Sequence, residues 1–293
     1  MKHINLLILL IAISMALAFT ACSSSDDSDS GGNESEIAPP VSIPSNLEAV
    51  DLGLPSGTKW ANMNVGAYSP EEYGLFFAWG ETTGYTSSVA GKTKSGNYYT
   101  GYTDHSFDFT SYKLSPSSST SSTFKKYNTG NDEMLEAEDD AATANWGIAW
   151  RMPTHEEWQE LKSNCYWEWA ASYNGIVGFI VYEAKNAAHK GKMKDRSGTV
   201  FDMSTWDVDT SFSGSYTTND THIFLPAAGY RQESNLILQG SFGYYWSSEL
   251  DDRRSSYNYN AWYMYLNFRS GSVDADGSTN RWFGHSVRAV CAQ

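Results

Sequence analysis

Aromatic and hydrogen-bonding side chains gather late in this chain, between Tyr244 and Tyr265. Trp246, Ser248, Glu249, Arg253, Arg254, Tyr257, Asn258, Tyr259, Asn260, Tyr263 and Tyr265 all fall there. Flat rings interleaved with Asn, Ser and Arg donors suit a sugar, a peptide or a protein surface. Tyr with Ser and Asn is also the composition of adaptable binding loops. Core packing is the competing use of such rings, and it is assigned here to Trp246, Trp262 and Trp282. The expected contact set is the loop Asp251 to Asn260, with Glu249 before it and Tyr263 and Tyr265 after it.

Covalent and metal chemistry have no comparable signature. Neither a Gly-x-Ser-x-Gly elbow nor a His-Glu-x-x-His motif occurs. His105, His155, His189, His222 and His285 are scattered and read as surface or structural residues. A carboxylate pair for glycoside hydrolysis stays open, because acids abound and their distances are not written in the sequence. Six acids between Asn131 and Asp140 could attract calcium, but they lack the Gly and the alternating ligand spacing of an EF-hand loop. Asp139 or Asp140 capping a helix through Trp146 is the preferred reading. No cofactor and no metal ligand set is therefore expected, with calcium left open.

The elements that must hold these residues start with Arg151-Met152-Pro153-Thr154. Met152 precedes a proline and is pushed to extended backbone. Thr154 stands at an N-cap with Glu157 three residues on, a capping box. Trp158 and Leu161 follow at helical spacing and point to a core. Ala49–Gly57 is expected as a strand running into a turn at Pro55-Ser56-Gly57, and short strands are expected at Lys59–Val65, Tyr73–Glu81, Ile176–Tyr182, Thr199–Met203, His222–Arg231, Gly243–Glu249 and His285–Cys291. From Ala261 to Arg269 the chain alternates. Ala261, Tyr263, Tyr265, Asn267 and Arg269 share one face, and Trp262, Met264, Leu266 and Phe268 form the core face. Gly84 to Asn131 reads as long surface loops. Arg151, Arg231 and Arg288 read as structural. Short strands, long loops and two early helices give an α+β domain.

Charge and the N-terminus set the compartment. A net charge of −14 argues against nucleic acid and anionic membrane surfaces as partners. Lys2 and His3 precede an apolar run, Ile4 to Ala18, too short and wrongly flanked for a transmembrane helix. Phe19-Thr-Ala-Cys22 resembles a lipobox, so residues 1–21 read as a lipoprotein signal and Cys22 as the lipidation site, an ordinary secretory signal being the alternative. Acids at Asp26, Asp27 and Asp29 resemble the surface-export signal of Bacteroidota lipoproteins. Residues 22–46 form a Ser- and acid-rich tether expected to be disordered, and 47–293 form one domain. An exported chain permits disulfides, and Cys165 with Cys291 is the expected pair, two buried thiols the alternative.

A family resemblance spans most of that domain. Asp140–Trp146, Arg151-Met-Pro-Thr-His-Glu-Glu-Trp158, Gly243-x-x-Trp246 and Gly284–Arg288 resemble the series found in formylglycine-generating-enzyme-like domains. Val50–Leu54, Lys59-Trp60-Ala61, Glu72-Tyr-Gly74, Phe77–Glu81, Phe224–Arg231 and Tyr244–Ser248 resemble the blocks of the Fibrobacter succinogenes major paralogous domain. The resemblance implies a C-type lectin-like fold, with short antiparallel sheets, two helices and long loops. It also implies a secreted or surface lipoprotein, and that the late region lies by the ligand face. Formylglycine-generating enzymes bind copper through two cysteines close in sequence near the C-terminal end. Only Cys291 lies there in this chain, so their chemistry is not expected. The Glu-Pro-Asn, Gln-Pro-Asp and Trp-Asn-Asp triplets of calcium-dependent sugar-binding lectins are missing too.

The expectation that follows is a non-enzymatic, outer-membrane lipoprotein, lipid-anchored and surface-exposed, that binds a glycan or protein ligand. The alternatives are an adhesin or structural component of a surface assembly, and an enzyme acting on polysaccharide.

Overall fold

A computed structural model describes residues 43–116, 123–128, 130, 133–253, 259–267 and 271–291. Cys22 and residues 23–42 lie outside them. Among the described residues short antiparallel strands dominate, with two α-helices, α1 (Ala141–Trp146) and α2 (His155–Asn164). The architecture is α+β and mostly β. The two ends of the domain meet in one small sheet, where Lys59–Ala61 lies between Ala49–Val50 and Val290–Cys291. A five-stranded sheet runs Val200–Asp202, Lys192–Lys194, Cys165–Tyr173, Ile176–Glu183, His222–Pro226. Only the pairing of Cys165–Tyr173 with Lys192–Lys194 in it is parallel. An antiparallel meander, β1 (Phe242–Leu250), β2 (Asn260–Asn267) and β3 (Ser272–Asn280), carries the late aromatic stretch.

Helix α2 begins where its local chemistry dictates. The Thr154 Oγ1 accepts from Glu157 N at 3.1 Å, and Glu157 Oε2 accepts from Thr154 N at 2.8 Å. Two N–H groups that a helix start leaves orphaned are thereby satisfied. Arg151 closes a fork on the same carboxylate at 2.7 and 2.6 Å. Burial alone would raise the Glu157 carboxyl. The Arg151 guanidinium and the Thr154 N–H reverse this and hold it below its usual range. Pro153 gives its carbonyl to Ser248 N, tying the turn to β1. Trp158 and Leu161 are fully buried from α2, and Trp158 lies 4.5 Å from Trp60, ring to ring.

Two large cores share the meander. Trp158, Trp167, Phe179 and Leu225 pack with Tyr245, Met264 and Leu266 on one side of it. Trp79, Trp146, Trp150, Met152 and Val287 pack with Trp246 and Leu250 on the other. Buried Arg288 crosses between elements, donating to Asn64 Oδ1, Ala61 O and Phe224 O at 2.7–2.9 Å. Asp140 caps α1, accepting from Ala142 N and Thr143 N, and takes Met152 N as a third partner.

Three expectations change. The pairing of Cys165 with Cys291 does not form, because Cys165 is a free, buried thiol. Successive strand residues point to opposite faces. Val290 takes the face toward the core that holds Cys165, so Cys291 is turned to the other core. Next, Gly84–Asn131 is more than surface loop. It contributes strands Tyr85–Thr86, Thr93–Ser95 and Tyr98–Thr100. It also buries Tyr102, Phe107, Tyr112 and Phe124 in a third cluster. Widely spaced aromatics carry no period, so nothing in the segment marked a core. Last, the strand expected over Tyr73–Glu81 shortens to Leu75–Phe76. Gly74 and Gly80, at φ 73° and 75°, turn the backbone out of extended geometry on both sides.

Candidate functional site

Those expected contact residues that are described divide among different surroundings. Glu249 is spent on α2: its Oε2 accepts from His155 N at 2.7 Å, placing a carboxylate at the positive end of the helix. Arg253 forks onto Asp251 at 2.9 and 3.1 Å, and its guanidinium lies 3.8 Å from the Trp262 ring centroid. His155 stacks on the same indole at 3.9 Å, while its Nε2 sits 2.9 Å from Asp276 Oδ1. Tyr259 turns to the third cluster, edge-on to Phe124 and Trp282. Asn260 opens β2, and its carbonyl accepts from Asp251 N. Arg254, Tyr257 and Asn258 lie outside the described residues.

Tyr263 and Tyr265 do come together, and with partners the sequence reading did not group with them. Tyr265 is paired with Tyr244 and Tyr263 with Trp246 across β1 and β2. Side chains on directly paired residues share a face. The rings of Phe242, Tyr244, Tyr263 and Tyr265 therefore line one side of the meander. Ring centroids stand 5.5 Å apart for Tyr244 and Tyr263, 5.4 Å for Tyr244 and Tyr265, and 5.7 Å for Phe242 and Tyr265. Tyr230 extends the row at 4.8 Å from Tyr244, with Phe283 6.0 Å beyond. All six rings are half-buried.

Local structure makes room for this face. The β2–β3 ladder shifts register between Tyr263 and Tyr265, and Gly277 stands opposite Tyr263. A Cβ at position 277 would come 2.8 Å from Tyr263 Cζ, so only glycine lets that ring lie down on β3. Beneath the rings sits His285, fully buried and stacked on Trp246 at 4.0 Å. It stands 5.2 Å from Tyr244 and 5.1 Å from Tyr263. Its Nδ1 has no hydrogen-bond partner among the described residues, and burial holds the imidazole's pKa well below its usual value. Trp246 and its neighbours fix the floor, since Trp246 Nε1 donates to Phe77 O at 2.8 Å.

Electrostatics describe a neutral, hydroxyl-rich patch. Desolvation, then the neighbouring Tyr265 and Asp274, push the Tyr263 hydroxyl up to about 12. Desolvation and the phenols of Tyr265, Tyr263 and Tyr230 raise Tyr244 further. Among the described residues no hydrogen-bond partner meets the Tyr230, Tyr244 or Tyr263 hydroxyl. Tyr244 carried a signal in the sequence, since it begins the aromatic stretch. Tyr230, Phe283 and His285 carried none, because they reach the face only through long-range pairing.

Other sites are closed or self-satisfied. The Glu136, Glu138 and Asp139 carboxylates converge. Lys126 Nζ already sits among them at 2.7, 2.7 and 2.8 Å. The calcium alternative at this acidic stretch thus meets a lysine ammonium where an ion would stand. An open groove of about 770 Å³ runs past Tyr68, Leu75, Val89 and Ile176. Its polar walls bond one another, Glu72 to Tyr68 N, Ser87 to Gly74 O and Gln239 to Ser87 O. Among the described residues no helix is long and apolar enough to cross a membrane. No protein-family model, curated protein or solved structure matches the chain.

Proposed function

We propose that this chain is a lipid-anchored, surface-exposed protein whose domain binds a glycan or protein ligand and performs no chemistry on it. The observation that carries the reading is the row of six half-buried rings on one face of the meander, in which the Tyr230, Tyr244 and Tyr263 hydroxyls meet no partner among the described residues. Exposed aromatic area with unspent donors is what binding surfaces use and what cores avoid. Lipidation at Cys22 and a tether over 22–46 are the sequence's part of the proposal, and together they would hold the domain away from the membrane. A C-type lectin-like fold of the Fibrobacter succinogenes major paralogous kind is likewise proposed. Short antiparallel sheets, two helices and joined ends of the domain support it.

The test is a glycan and mucin array probed with the full chain and with a Tyr244→Ala, Tyr265→Ala double variant of unchanged urea midpoint. Signal lost in the variant supports the reading. Signal that the variant retains in full removes the tyrosine face from it. Labelled palmitate incorporated into the wild type and not into Cys22→Ser tests the anchor.

A further inference from the structure

Resting on that binding reading, we infer that the ligand is a neutral glycan, held without metal on the tyrosine face, its sugar rings against Tyr244 and Tyr265 and its hydroxyls on Tyr230, Tyr263 and Asp274. Four observations converge. The rings are close enough to act as one platform, with Tyr230, Tyr263 and Tyr265 each 4.8–5.5 Å from the central Tyr244. Such a platform wants C–H-rich flat ligand faces. Among the described residues the half-buried Tyr230, Tyr244 and Tyr263 phenols meet no hydrogen-bond partner, and an unmade hydrogen bond in a partly dry site is costly. A purely apolar ligand would seal them off unsatisfied. A pyranose offers both a C–H face and a ring of donors and acceptors.

Charge narrows the class. Among the described residues the arginine and lysine stacking contacts fall on other rings, none on these six. The charged neighbour is Asp274, exposed on β3 and paired with Tyr265. Among the described residues no arginine or lysine stacks on these rings and one exposed carboxylate stands beside them, so a sulfated or uronic-acid polymer would meet that carboxylate and a chain of net charge −14. One carboxylate is also too few for a calcium shell of six to eight oxygens, and Asp274 Oδ1 already accepts from Asp276 N at 2.9 Å. The rim fits sugar hydroxyls instead. Asp274 accepts, and the Asn267 side chain is hydrogen-bonded to the Tyr265 hydroxyl and holds it in place.

Geometry separates a glycan from a peptide. Strand-adding peptides use the backbone of a sheet edge. Here the rings stand on the flat of the meander, with β1 and β2 already laddered to each other and β2 to β3. His285 is the support under the platform. Its stacking on Trp246 and its contacts with Tyr244 and Tyr263 keep the rings from collapsing inward.

The test is affinity electrophoresis of the full chain in a detergent lacking a sugar headgroup. The gels contain galactomannan, arabinoxylan or mixed-linkage β-glucan, against polygalacturonate, heparin and deglycosylated mucin polypeptide. Retardation by at least one neutral polysaccharide, unchanged by EDTA, is expected. Tyr265→Ala and Tyr244→Ala should each weaken it about tenfold, and Tyr244→Phe, which keeps the ring and drops the hydroxyl, about threefold. Retardation only by the acidic polymers, or its loss with EDTA, overturns the inference. Retardation by mucin polypeptide alone, weakened by Tyr265→Ala, overturns the glycan and leaves the binding reading standing. No Tyr265-dependent retardation in any gel sinks both.

Discussion

At the scale of single residues, the buried polar groups decide how the domain responds to pH and to substitution. His285 is neutral when folded, because desolvation lowers its pKa well below the usual imidazole value. Unfolded, it takes up a proton near pH 6.5. The unfolded state then binds more protons, so stability rises with pH across this window and falls on acidification through about pH 6.5. His105 acts in the same direction, lowered by burial and by the Arg231 guanidinium. Urea midpoints are expected to drop between pH 7.5 and pH 5.0, with a shallower slope in His285→Phe. A flat profile in the wild type would contradict the burial of His285. Arg288 has another role. Burial lowers its pKa to about 10, still far above neutrality, and its three bonds join segments far apart in the chain. Arg288→Met should destabilise by about 3 kcal/mol, because three partners lose a charge-assisted bond in a dry site.

At the scale of elements, the domain depends on turns that place helix ends and strand faces. Thr154→Ala removes the hydroxyl half of the capping box, and about 1 kcal/mol of stability should go with it, read from the urea midpoint. Gly277→Ala probes the platform without replacing a ring of it. The added methyl meets Tyr263 at 2.8 Å and must tilt that ring. Ligand retardation should weaken severalfold while the far-ultraviolet circular dichroism stays unchanged. Unaltered binding would show that the lie of Tyr263 is immaterial. The Cys165 strand begins at the C-cap of α2 and points inward, its thiol pushed up by desolvation. Cys165 should react with a thiol reagent only after denaturation, whereas rapid labelling of the native protein would place it at the surface.

Across the whole molecule, the division between local and long-range information is plain. The sequence alone determined the start of α2, since Thr154, Glu157 and the buried pair Trp158 and Leu161 interact within a few residues of one another. It also determined the inward face of β2 at Trp262, Met264 and Leu266, because a period of two fixes which side chains share a side. An acid at Asp139 or Asp140 capping α1 was legible for the same reason, since a cap bonds its immediate neighbours, whereas the partners of Arg288 lie far off in the chain. What only the tertiary structure decided was which aromatic residues meet. Tyr230 and His285 join Tyr244, Tyr263 and Tyr265 through sheet pairings and bridges between distant segments, while Tyr259, close to Tyr263 in sequence, is carried to another cluster. The fate of Cys165 was decided the same way, by the face that Val290 takes in the closing strand. Local sequence sets which side of its own element a residue occupies, but contact between elements depends on how the sheets stack, and that is a property of the packed core.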